Sequence, residues 1–87
     1  MKMIILIVKD HDADEITQKL TSEEYRVTRV ASTGGFLRSG VVTLLLGVRD
    51  ERVESSLELI RASLPPLASG EKRATLFVVP VERFEQV

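Results

Sequence analysis

Apolar residues run unbroken from Met3 to Val8, with Met3, Ile5 and Ile7 on one parity and Ile4, Leu6 and Val8 on the other. A strand written this way has both faces covered, so the pattern predicts a central β-strand over 2–9. A second near-continuous run, from Val41 to Val48, predicts another. Between them the period changes. Ala13, Ile16 and Leu20 share a face at helical spacing, and Asp12 with Glu15 three residues on reads as a capping-box-like start, ending near Ser22-Glu23. Residues 24–32 alternate instead: Tyr25, Val27, Arg29 and Ala31 fall on one side, Arg26, Thr28 and Val30 on the other. After the second apolar run, Arg49-Asp50-Glu51-Arg52 marks the turn into a second helix with Asp50 as its cap. Val53, Leu57, Ile60 and Leu64 form that helix's buried stripe, and Pro65-Pro66 stops it. A linker containing Gly70 leads to a last strand over 74–81, where Pro80 suits an edge position. Residues 82–87 follow no period.

Strand, helix, strand, strand, helix, strand is the order of a ferredoxin-like α+β sandwich, whose four-stranded antiparallel sheet has its first and third strands in the middle. Those are the two most continuously apolar strands here. Right-handed crossovers place both helices on one face, and the opposite face is then apolar and open. An exposed apolar surface of that size is an interface. The pattern therefore predicts a homo-oligomer packed sheet to sheet, without choosing between dimer and trimer.

Composition narrows this further. At 87 residues the expectation is a single domain over 1–87, with a thin core that oligomerisation would supplement. A net charge of −1 with scattered basic residues lacks the footprint of a long nucleic-acid binder. The absence of cysteine removes disulfides, thiolate metal sites and thiol nucleophiles. The N-terminal apolar run is closed by Lys9-Asp10 and not by a small-residue cleavage site, so it reads as a strand and not a signal peptide; a cytoplasmic protein with no membrane insertion is expected. Asp10, Asp12 and Asp14 alternate like a calcium loop, but Glu15 stands where that loop needs glycine and Thr21 where it needs a bidentate glutamate. No metal site follows, and His11 has no second ligand.

The candidate chemistry lies between the second and third strands, in Ala31-Ser32-Thr33-Gly34-Gly35-Phe36-Leu37-Arg38-Ser39-Gly40. Glycines let a backbone approach a ligand closely, successive free N–H groups form an anion-binding nest, and Arg38 is a planar cation suited to phosphate. A glycine-rich hairpin loop with an incidental Phe36 is the plainer reading of the same residues. Arg26, on the mixed polar strand face leading into the loop, is either a solvated edge charge or part of that chemistry.

The element order, together with Glu24-Tyr25-Arg26-Val27-Thr28, Thr33-Gly34-Gly35-Phe36-Leu37-Arg38-Ser39-Gly40, Gly47-Val48 and Val78-Val79-Pro80-Val81-Glu82-Arg83-Phe84-Glu85-Gln86, resembles the PstA/DarA-type cyclic-di-AMP receptors. These are small bacterial proteins similar to the PII signalling proteins, and the resemblance covers nearly the whole chain. It implies a cytoplasmic homotrimer that binds cyclic di-AMP at subunit interfaces, signals through a protein target, and neither catalyses a reaction nor carries a cofactor. By position it implies that Arg26 and Thr28 reach the ligand from a strand. Thr33, Gly34, Gly35, Phe36, Leu37 and Arg38 then form the wrapping loop, and Gly47, Phe77 and Gln86 line the remainder. Two departures stand out: Glu24 occupies a position where the family usually carries an asparagine, and the family's long loop before the last strand is cut here to residues 65–73.

An alternative reading keeps the fold and changes the role: a PII-like interaction protein that binds another adenine nucleotide, or none, and acts by docking to a partner. An enzyme ranks below both. The chain has one histidine, no cysteine and no paired carboxylates beside the glycine loop. The loop also lacks the Gly-Lys-Ser/Thr ending of a P-loop and leads into a strand where a dinucleotide-binding turn would open a helix.

Overall fold

In the computed structural model, which describes residues 1–30, 40–64 and 68–87, the two apolar runs become the two inner strands of one sheet. The elements are β1 (Lys2–Lys9), α1 (Asp10–Ser22), β2 (Val27–Val30), β3 (Val41–Val48), α2 (Val53–Ser63) and β4 (Ala74–Pro80). The sheet order is β2-β3-β1-β4, with every neighbouring pair antiparallel. This is the ferredoxin-like α+β arrangement that the order of apolar runs predicts. No helix among the described residues is long and apolar enough to cross a membrane.

Register assigns each side chain to a face. Ile4 sits between Leu46 and Val78, and Leu6 between Leu44 and Leu76. That face, with Val8 and Val48, packs against Ala13, Ile16 and Leu20 of α1 and Leu57 and Ile60 of α2. Complete burial of one such aliphatic side chain stabilises by about 1.5–3 kcal/mol, so this layer is where the fold's driving force resides. The other face carries Met3, Ile5 and Ile7 of β1 with Thr43 and Leu45 of β3, all only half-buried in a single chain. Phe77 of β4 stands on that face too, opposite Ile5.

Both helices begin differently from the expectation. α1 starts at Asp10, two residues before Asp12, and no side chain caps it. The Asp10 N–H instead donates to the Gly40 carbonyl at 2.8 Å, so the first turn is closed by backbone from the far end of the β2–β3 connection. Asp12 is turned inward, where Arg73 Nη2 donates to its Oδ1 at 2.8 Å. Asp50 is likewise not the cap of α2. It opens a short 3-10 turn over Asp50–Arg52, and its carboxylate lies 3.0 Å from the Met1 ammonium. Hydrogen bonding from that ammonium, and then its charge, hold the Asp50 carboxyl below the ordinary carboxylate range. This exposed contact is therefore intact at neutral pH and opens as pH falls through the lowered value.

The second strand is shorter than its alternation predicts, because Glu24 and Tyr25 are used to close α1. Tyr25 N–H donates to the Leu20 carbonyl and Glu24 N–H to the Thr21 carbonyl, each at 3.0 Å, a Schellman closure with Tyr25 and Leu20 both buried. Arg52 reinforces the joint. Its guanidinium lies 4.0 Å from the centre of the Tyr25 ring, and its Nη2 donates to the Glu23 carbonyl at 3.0 Å. The residue that follows this joint is Arg26.

Candidate functional site

β2 leaves the joint with Val27 opposite Leu46 and Thr28 opposite Leu45. Strand parity then puts Arg26 and Thr28 on the open face, with Arg26 level with Gly47. At the other edge, Val81 N–H donates to the Met1 carbonyl at 3.1 Å, and the chain beyond it turns under the same end of the sheet. Strand face and tail together enclose a cavity of about 600 Å³. Arg26, Thr28, Leu45 and Gly47 form its sheet side, and Arg83, Phe84 and Gln86 its tail side.

Of the residues singled out in the sequence, Arg26, Thr28, Gly47 and Gln86 are brought together in this cavity. Gly47 leaves space: a Cβ there would lie 3.0 Å from the Met1 Cε, the movable end of a flexible side chain. A side chain at this position therefore takes volume from the cavity without colliding with the backbone. Phe77 is not among the lining residues. It is 52% exposed and ends the row Thr28, Leu45, Ile5, Phe77 across four strands, about 14 Å from Thr28 at the usual strand spacing. Thr33, Gly34, Gly35, Phe36, Leu37 and Arg38 lie outside the described residues.

Met1, Met3, Val81, Arg83 and Phe84 also line the cavity, and sequence reasoning did not find them. The tail follows no period, so nothing in its pattern says which way it turns. The one available signal was the adjacency of a cation and an aromatic, Arg83-Phe84, just before Gln86.

The charged side chains that line the cavity are of one sign. Among the described residues none of its lining side chains is acidic, while Arg26 and Arg83 supply two guanidinium groups. Arg29, whose side chain falls on the helix side of β2, is taken by Asp14 at 2.6 Å. Arg26 makes no ion pair among the described residues. Two cations, a hydroxyl, an amide and apolar walls suit a ligand that is anionic in one part and flat and apolar in another.

The chain is similar to a protein of unknown function from Pediococcus pentosaceus, whose crystal structure superposes with a TM-score of 0.76 at 33% sequence identity. The match covers 99% of this chain and 96% of that one. A sequence model of the cyclic-di-AMP receptors matches residues 1–65, from β1 to the end of α2 and the first linker residue. On that match, and on the ferredoxin-like fold with its cation-lined cavity, the chain belongs to the cyclic-di-AMP receptor family.

Proposed function

We propose that this chain is a PII-like signalling protein of one domain, residues 1–87, that binds cyclic di-AMP at the subunit interfaces of a homotrimer. The observation that carries the reading is the convergence of Arg26, Thr28, Gly47 and Gln86 on one cavity beside an open apolar sheet face. Within one subunit Phe77 stands three strands away from Thr28. It contributes to a ligand held at Arg26 and Thr28 only if a neighbouring subunit brings its own Phe77 to that edge. An interface site resolves both features, because it covers the half-buried aliphatic face and completes the ligand's surroundings. The glycine loop, residues 33–38, supplies the remaining contacts in this reading, and a protein target receives the signal.

Isothermal calorimetry of the full chain with cyclic di-AMP, cyclic di-GMP, ATP and AMP tests the reading. Cyclic di-AMP is expected to bind most tightly. Arg26→Ala should weaken it by about 1.5–3 kcal/mol, the worth of a charge-assisted hydrogen bond, while changing the unliganded protein's stability by less than about 0.5 kcal/mol, as befits an exposed side chain. Unchanged affinity in Arg26→Ala, or tighter binding of a mononucleotide, overturns it.

A further inference from the structure

We infer that Arg83 is a second phosphate-binding residue of this cavity and that Glu85 holds it in reserve until an anion arrives. The inference rests on the reading of the cavity as a cyclic di-AMP site and extends it to a residue outside the strand and glycine-loop positions. A ring with two phosphates presents two anionic groups on opposite sides. Arg26, on the sheet side, answers one of them. The walls between are apolar: Met3 and Leu45 from the strands, Phe84 from the tail. A second phosphate buried there without a cation would carry an uncompensated desolvation penalty. Among the described residues Arg83 is the other guanidinium that lines the cavity, and it comes from the tail side, across from the strand that follows Arg26.

In the unliganded chain Arg83 Nη2 donates to Glu85 Oε1 at 2.7 Å, with the two side chains 79% and 58% exposed. This is a contact between residues two apart in an irregular segment. Exposed ion pairs of that kind are weak, whereas a guanidinium on a phosphate makes shorter and stronger bonds. Ligand entry therefore exchanges the Glu85 carboxylate for a phosphate oxygen on the same guanidinium, with no bond to the fold broken. Glu85 lowers affinity by competing for Arg83, and so sets the ligand concentration at which the cavity fills.

Calorimetry of cyclic di-AMP against the full chain, Arg83→Gln, Glu85→Gln and the double variant tests this. Arg83→Gln should weaken binding about tenfold, equivalent to about 1.4 kcal/mol, with Arg83→Lys between it and the parent. Glu85→Gln should tighten binding about two- to fivefold, the range of an exposed ion pair, and should have no effect once Arg83 is glutamine. Melting temperatures of the unliganded variants should match the parent, since neither side chain packs on the core. Parental affinity in Arg83→Gln overturns the role of Arg83 while leaving the cyclic di-AMP site standing. An equal effect of Glu85→Gln in both backgrounds overturns the reserve. No heat from the parent chain itself overturns the site reading and this inference with it.

Discussion

Glu24 is the only non-glycine residue among those described with a positive φ, 67°. The cause is local: the Schellman closure of α1 requires a left-handed residue between Glu23 and Tyr25, a place that glycine or asparagine usually fills. A residue with a Cβ loses about 1–2 kcal/mol there, and glycine's greater freedom in the unfolded chain returns part of the difference. Glu24→Gly should therefore raise stability by about 0.5–1 kcal/mol, read as a higher midpoint in urea at fixed protein concentration. A lower midpoint would show that the glutamate side chain makes a compensating contact. The asparagine that the resemblance places at this position is thus the residue type the backbone favours, whatever it also offers a ligand. Glutamate lacks that backbone preference and adds a negative charge two residues before Arg26.

At the scale of elements, the half-buried pair of Asp12 and Arg73 joins the first turn of α1 to the residue before β4, with the Asp12 side chain only 8% exposed. Removing one partner of such a pair leaves a charge in a place that water reaches poorly. Arg73→Ala should destabilise the chain by about 1.5–3 kcal/mol, and the further loss on adding Asp12→Ala should be smaller than Asp12→Ala causes alone. Additive losses in that double-mutant cycle would mean that the two groups do not act through one another. The same region shows what a sequence can and cannot disclose. β1 and β3 were legible because a strand covered on both faces is apolar at both parities, and the buried stripes of α1 and α2 because helical spacing is local. The start of α1 was not legible, since its closing acceptor is the Gly40 carbonyl, distant in sequence and without a side-chain signature. Alternation set Arg26 and Thr28 on one face, but only the register with β3 brings them level with Gly47 and Leu45. The tail residues of the cavity left no periodic trace, because an irregular segment is positioned by what it packs on and not by its own spacing.

At the scale of the whole molecule, the proposed assembly turns on the open face. Antiparallel sheets that face water on one side alternate apolar with polar residues, yet β1 offers Met3, Ile5 and Ile7 on its uncovered side, with Leu45 beside them and Phe77 at the edge. Each is already partly buried in the single chain, so association gains only part of the about 1.5–3 kcal/mol of a full burial, and several per subunit are needed to offset the roughly 4–15 kcal/mol of freedom lost on association. Light scattering of the untagged protein should give about three times the chain mass, as the proposed interface site requires. Ile5→Glu, at the centre of the face and outside the helix-side core, should reduce that mass to a single chain while far-UV circular dichroism is retained. The same variant should lose cyclic di-AMP binding although Arg26, Thr28 and Arg83 are intact, because the contact proposed for a neighbour's Phe77 is then lost. If Ile5→Glu is monomeric and still binds with parental affinity, the site is complete within one subunit, and the open face serves assembly alone.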